Sequence, residues 1–249
     1  MPKTTIVVPC YNEAQRLDSA AFIAFLESDP EAALLFVDDG SSDETGRILG
    51  DLVARAGHNA SVLTRERNSG KAEAVRLGIV QALDSGSRYV GFWDADLSTP
   101  LDVIPSFVDQ LDAHPQLEMV MGARVQLLGR EIERSVLRHH MGRLAATVIS
   151  TALGLRVYDT QCGAKLFRAD TARALFRDPF QSRWIFDVEV IARLIARHAG
   201  NAGLPASKVI LEYPLHRWRD FGGSNVRPRD YLRALFDLRR IRRRYPKPS

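Results

Sequence analysis

Adjacent carboxylates are the feature of this sequence that first calls for chemistry. Asp38 and Asp39 stand side by side ahead of Gly40, Ser41 and Ser42, and Asp94 and Asp96 flank Ala95. Like charges this close repel unless a cation or several hydrogen-bond donors balance them. In an extended segment alternate side chains project to one side. Asp94 and Asp96 can therefore offer hard oxygens to one Mg²⁺ or Mn²⁺, which would keep some waters and take its other ligands from a diphosphate. A metal held so would act as a Lewis acid on a departing diphosphate group. Taken alone, an Asp-x-Asp is more often a polar turn or a helix cap. Here position argues otherwise, because both acidic pairs, and a third polar cluster of Pro9, Tyr11, Asn12 and Glu13, each follow a short apolar run. The two cysteines, Cys10 and Cys162, are far apart and lack Cys/His ligand spacing, which speaks against zinc and fits a reducing compartment.

The elements that must position these clusters are read from periodicity. Residues 4–8, 33–37, 61–64 and 89–93 are strand-like runs, and the stretches 17–26, 43–56 and 71–85 between them have helical spacing. The helix at 43–56 opens on a Ser/Asp cap. This alternation implies an α/β fold, a Rossmann-like, mostly parallel sheet with helices on both faces. Ligands of such sheets bind outside the carboxyl ends of the strands, where the polar clusters fall. The second half reads as helices over 103–113, 133–155 (with a break expected near Gly142), 169–176 and 187–199, and as strands over 119–122, 164–167 and 208–213 that complete the same sheet. No repeat, low-complexity block or Pro/Gly-rich linker divides the chain, and 249 residues with 45% hydrophobic content suit one domain.

The net charge is only +4, and the basic residues, of which just five are lysine, crowd near the C-terminus. Residues 231–244 interleave Arg233, Arg239, Arg240, Arg242, Arg243 and Arg244 with Leu232, Leu235, Phe236, Leu238 and Ile241. Such a basic amphipathic helix suits anionic lipid headgroups, at about 1 kcal/mol per basic side chain near the surface. Few aromatics for base stacking and no RNA-binding signature speak against nucleic acid. No stretch approaches the roughly 20 apolar residues of a membrane span, and the N-terminus has none of the marks of a signal peptide. The expectation is a cytoplasmic protein, peripheral to the membrane face or held there by a membrane-embedded partner chain. A domain over 1–225 and a basic tail over 226–249 is the expected organisation. The absence of GxGxxG after the first strand disfavours a dinucleotide-binding dehydrogenase.

Residues 7–13 (VVPCYNE), 37–45 (VDDGSSDET), 68–71 (NSGK) and 94–97 (DADL) resemble, in order, the signatures of the glycosyltransferase family 2 enzymes, which have the GT-A fold. Residues 159–167 (DTQCGAKLF) and 184–189 (WIFDVE) are similar to the polyprenyl-phosphate branch, dolichyl-phosphate β-glucosyltransferases most closely, and the resemblance weakens beyond Asn225. It implies a single GT-A domain in which Pro9, Tyr11 and Glu13 form the nucleoside pocket, with Tyr11 suited to stacking on a base. Asp39 would accept from a base N–H or meet the ribose, Lys71 would offset phosphate charge, and Asp94 and Asp96 would hold the metal. On the acceptor side it points to Asp159 and Asp187 with equal weight. Either would orient the acceptor or the sugar, complete the metal site, or, as in the wider family, serve as general base. Arg124, after a Gly-Ala pair, and Arg138 stand where acceptor-phosphate arginines are expected. Arg134 and Arg138, four apart, share a helix face beside Leu137, Leu144 and Val148, and guanidinium groups bind phosphate through paired donors. Two positions depart from the pattern. Ser98 stands where mannose synthases of this type often carry Gln, which favours the glucosyl branch, and Ala164 replaces the aromatic of most relatives, which leaves the donor open.

The resulting expectation is an inverting hexosyltransferase that moves glucose from UDP-glucose to a polyprenyl or dolichyl phosphate with Mg²⁺ or Mn²⁺. GDP-mannose as donor, a saccharide as acceptor, and a catalytically inactive nucleotide-sugar-binding subunit are the alternatives. The presence of both Asp94 and Asp96 disfavours the last.

Overall fold

The structure, a computed structural model, describes residues 1–133, 136–199, 204–219 and 228–246. The apolar runs form strands and the amphipathic stretches form helices. In chain order these are β1 (Thr4–Cys10), α1 (Ser19–Ser28), β2 (Ala32–Asp38), α2 (Thr45–Ala56), β3 (Ala60–Thr64), α3 (Lys71–Leu83), β4 (Tyr89–Trp93), α4 (Ile104–Ala113), β5 (Met119–Ala123), β6 (Glu131–Ile132), α5 (Val136–Leu153), β7 (Ala164–Arg168), α6 (Ala169–Phe176), α7 (Phe186–His198), α8 (Ala206–Val209), β8 (Ile210–Pro214), β9 (Arg217–Trp218) and α9 (Pro228–Arg244).

One sheet has the strand order β3-β2-β1-β4-β7-β5-β8, and β6 pairs separately with β9. Strands β1, β2, β3 and β4 run parallel, as do β5 and β8, whereas β7 is antiparallel to both β4 and β5. The chain leaves β1 on one side to make β2 and comes back on the other to make β4. The crevice between the carboxyl ends of β1 and β4 is therefore the switch point at which such sheets bind ligands.

Side chains alternate between the two faces of the sheet. Ile6, Val8, Phe36, Trp93 and Leu166 pack beneath α1, α2 and α4, and Val7, Leu35, Phe92 and Phe167 pack beneath α3, α6 and α7. Burying a large apolar side chain completely contributes about 1.5–3 kcal/mol. Helix α9 joins the second layer: Leu238 and Ile241 are buried against α5 and α7, while Leu235 and Phe236 stay exposed.

Some elements differ from expectation. Helix α5 runs unbroken past Gly142, and the segment expected as a strand from residue 208 begins with the short α8. Asp43 is not the N-cap of α2. Glu44 is, while Asp43 accepts from the Thr45 N–H at 3.0 Å as a local turn.

Candidate active site

Glu13 follows β1, and Asp94 and Asp96 follow β4, so the switch point brings them together. The three carboxylates feel one another. Burial pushes the Glu13 carboxyl up, its Arg16 partner opposes this, and the charges of Asp96 and Asp94 add to the rise. Asp94 and Asp96 are half-buried on either side of buried Ala95, but the segment is a tight turn beyond the end of β4 and not the extended stretch expected, so strand alternation is not what places the two carboxylates. The chain then reverses sharply. Leu97 adopts φ 52° and donates to the Asp94 carbonyl at 3.2 Å, and the Ser98 N–H donates to Asp96 Oδ1 at 3.0 Å. A left-handed leucine costs about 1–3 kcal/mol, and strain of this kind gathers at functional sites.

Asp94 is fixed from the far side by Gly163. Its N–H donates to the Gly163 carbonyl at 3.0 Å, and a Cβ on residue 163 would overlap the Asp94 carboxylate. The antiparallel run of β7 explains this contact: with Ala164 opposite Trp93, the turn entering β7 lies at the rim where β4 ends. Lys71, the first residue of α3, pairs with Asp94 at 2.5 Å. Burial disfavours its charge, but Asp94, Asp187 and Asp96 more than offset this and hold the ammonium above the ordinary lysine value.

The loops that follow β1 and β2 are stapled to one another. Asn12, at φ 54°, accepts the Ser42 N–H at 2.9 Å, and its own N–H donates to Ser41 Oγ at 3.0 Å. The Glu13 N–H donates to Thr45 Oγ1 at 2.8 Å. Pro9 is half-buried near the end of β1, and Tyr11 in the loop beyond it is 46% exposed. Asp39 has a task the sequence did not reveal. It is buried, accepts the N–H groups of Ser69 and Gly70 (2.7 Å for the latter), and pairs with Arg65 at 2.9 Å, which anchors the loop leading into α3. Gly40, at φ 71°, lies so close to the backbone of Arg67 and Asn68 that no side chain fits there.

The two carboxylates expected on the acceptor side, Asp159 and Asp187, each carry a cation. Asp159 receives Arg124 Nε at 2.6 Å and Nη2 at 2.7 Å, a bidentate pair. Burial alone would raise the Asp159 carboxyl, but Arg124 outweighs it and holds it below the usual carboxylate range. Glu212 on β8 steadies the turn by accepting the N–H groups of Tyr158 and Asp159. Asp187, in the first turn of α7, receives the fully buried ammonium of Lys165 at 2.5 Å, and Lys165 also donates to the carbonyls of Cys162 (2.6 Å) and Thr160 (3.1 Å). Sequence reasoning missed Lys165 and Glu212. A lysine inside an otherwise apolar strand was the available sign for the first.

Among the arginines expected at the acceptor, Arg124 is at the site, its guanidinium also lying over the Trp218 ring at 5.1 Å. Arg134 lies outside the described residues, and so does the side chain of Arg138, whose backbone belongs to α5. Arg143, one turn further along α5, lies over the Tyr158 ring at 4.0 Å and donates to the Tyr158 carbonyl at 3.3 Å.

The donor set suits a hard divalent ion. Among the described residues no three His, Cys, Asp or Glu side chains form a closed metal cage. Asp94 and Asp96 alone would leave most positions for water and diphosphate, which is how Mg²⁺ is commonly held. Asp96 accepts only the Ser98 N–H and has no cation partner among the described residues.

A dolichyl-phosphate beta-glucosyltransferase of Trichomonas vaginalis is 30% identical over 251 residues, covering 96% of this chain and 70% of the relative. That of Homo sapiens is 30% identical over 260 residues, covering 97% and 75%. Glucosyl-3-phosphoglycerate synthase from Mycobacterium tuberculosis, in complex with Mn²⁺, UDP and glucosyl-3-phosphoglycerate, shares the fold with a TM-score of 0.66 at 20% identity, over 100% of this chain and 81% of that one. The family profile of Glycosyl transferase family 2 matches residues 5–184, spanning the acidic rim, the loop into α3 and the Arg124–Asp159 pair and ending just short of α7 and Asp187, and the chain belongs to that family of glycosyltransferases.

Proposed function

We propose that this glycosyltransferase moves glucose from UDP-glucose onto the phosphate of a polyprenyl or dolichyl lipid, with inversion at the anomeric carbon. The observation that carries the reading is the state of the acceptor-side carboxylates. Asp159 is committed to Arg124 and Asp187 to Lys165, so neither is a free base. A hydroxyl acceptor needs a base to take its proton. A phosphate arrives ionised and needs only to be aimed.

In this reading the phosphate oxygen attacks the anomeric carbon as the bond to UDP breaks, in one in-line displacement that needs no covalent enzyme intermediate. The barrier falls through positioning and stabilisation of the leaving group. A Mg²⁺ or Mn²⁺ held by Asp94 and Asp96 would supply Lewis-acid stabilisation of the departing diphosphate. Lys71 adds a cation beside it. Tyr11, with Pro9 and Glu13 beneath it, receives the base, and Asp39 shapes the nucleoside side through the loop it holds. Asp187, held by Lys165, orients the sugar or the acceptor. Arg124 keeps N–H donors beyond the two given to Asp159, available to the acceptor phosphate, with Arg138 and Arg134 assigned the same role. The resemblance to dolichyl-phosphate beta-glucosyltransferases supports the acceptor class, and the neighbour that binds UDP and Mn²⁺ supports the donor class.

No helix among the described residues is long and apolar enough to cross a membrane. The exposed Leu235 and Phe236 and the arginines of α9 support a peripheral contact with the cytoplasmic face. The deciding experiment offers labelled UDP-glucose, GDP-mannose and UDP-N-acetylglucosamine with a short polyprenyl phosphate, with and without EDTA. Transfer from UDP-glucose, lost in EDTA and in Asp96→Ala, is expected. Equal transfer to the unphosphorylated polyprenol would overturn the acceptor reading.

A further inference from the structure

We infer that Arg183 binds the distal phosphate of the donor's nucleoside diphosphate, an assignment that rests on the donor reading above. The turn bearing Arg183 is pinned in place: Ser182 Oγ donates to Asp237 on α9 at 2.7 Å and accepts the Ile185 N–H at 3.0 Å. From that turn the guanidinium reaches across the rim to Gly70, where its Nε and Nη2 lie 3.0 and 3.1 Å from the position a Cβ would occupy. Gly70 is held from below by Asp39, and the next residue is Lys71. Arg183 thus faces the loop that introduces Lys71, the ion-pair partner of Asp94, from a turn that leads, four residues on, to Asp187.

Charge pairing at the rim makes this placement informative. Arg16 is paired with Glu13, Arg65 with Asp39, Lys71 with Asp94, Arg124 with Asp159 and Lys165 with Asp187. Arg183 is exposed and has no carboxylate partner among the described residues. A guanidinium offers paired donors that match phosphate oxygens. Because its turn continues into the acceptor-side helix, the phosphate within its reach is the distal one, next to the bond that breaks.

The test is calorimetric titration of UDP and of UMP, each with Mn²⁺, into the intact protein and its Arg183→Gln and Arg183→Lys variants. The residue is exposed, so melting temperatures should match. Arg183→Gln should bind UDP about tenfold more weakly, the scale of one charge-assisted hydrogen bond, and UMP within about twofold of wild type. Arg183→Lys should fall between. Unchanged UDP affinity overturns the assignment, as does an equal loss for UMP. A rise confined to the KM of the lipid acceptor also overturns it and moves Arg183 to the acceptor. Wild-type protein that binds no UDP at all overturns the donor reading, and this inference with it.

Discussion

Replacing Lys165 with Met removes an ammonium that is fully buried and bonded to three acceptors, Asp187 Oδ1 and the carbonyls of Cys162 and Thr160. A methionine fills similar volume, so the loss is electrostatic. Breaking one side of a buried ion pair costs about 3–5 kcal/mol, because the other charge stays buried and uncompensated. For a protein of this size each kcal/mol moves the melting temperature by about 2–4 °C, so a cost near 4 kcal/mol corresponds to about 8–16 °C. The double variant Lys165→Met with Asp187→Asn removes both charges, leaves a neutral amide, and should regain more than half of that loss. Differential scanning calorimetry on wild type, both single variants and the double variant closes the cycle. A Lys165→Met protein melting within about 3 °C of wild type, or a double variant no more stable than that single one, refutes the account of Lys165 as the buried counter-charge of Asp187.

Gly163→Ala places a methyl inside the space of the Asp94 carboxylate, which must move by roughly 1 Å or more. Misplacement on that scale can cost about 100-fold in turnover. Steady-state rates with UDP-glucose and a polyprenyl phosphate should show it while the melting temperature changes little, and a variant within twofold of wild type counts against Asp94 as a fixed ligand. The folded Asp159 carboxyl is more acidic than the unfolded value of about 3.9. Its stabilising share is therefore complete above that pH and drains away as pH falls through the lower folded value. Asp159→Asn should melt lower at pH 7 and show a flatter decline below about pH 4, and an unchanged acid slope would tell against the pair. Replacing the exposed Arg239, Arg240 and Arg243 together with Ser should reduce co-sedimentation with anionic liposomes at low salt without lowering the melting temperature. Attraction of this kind is screened over roughly 8 Å at physiological ionic strength. Equal binding by both proteins, or none by either, rejects the peripheral reading and favours a membrane-embedded partner.

Local chemistry made much of the donor half legible in advance. The strand at Tyr89–Trp93 and the helix starting at Lys71 begin where apolar spacing and turn residues say they should, and the polar clusters lie at strand ends because βα units put them there. The direction of β7 was not legible. A strand buried on both faces shows no polarity in its pattern, and only its hydrogen bonds to β4 and β5 reveal that it is reversed. The cations that Asp159 and Asp187 hold were equally hidden. Asp159 lies 35 positions from Arg124 and Asp187 lies 22 from Lys165, and no periodicity spans such separations. Asp39 shows the same limit from another side: its motif marks it as important without revealing that backbone N–H groups occupy its carboxylate.

The packing of α9 bears on how the membrane role proposed for it can be studied at all. Deleting the chain beyond Arg233 looks like the removal of a basic appendage, yet it would also extract Leu238 and Ile241 from the layer beneath the sheet and take away the Asp237 partner of Ser182. Emptying the space of one buried Leu or Ile typically costs about 2–5 kcal/mol, against a total stability of about 5–15 kcal/mol for an ordinary protein. A shortened protein that failed to reach liposomes would be reporting a collapsed cavity, and the loss would be mistaken for a lost anchor. Only substitutions confined to the outward arginines leave the inner half of the helix seated and keep adhesion separable from folding.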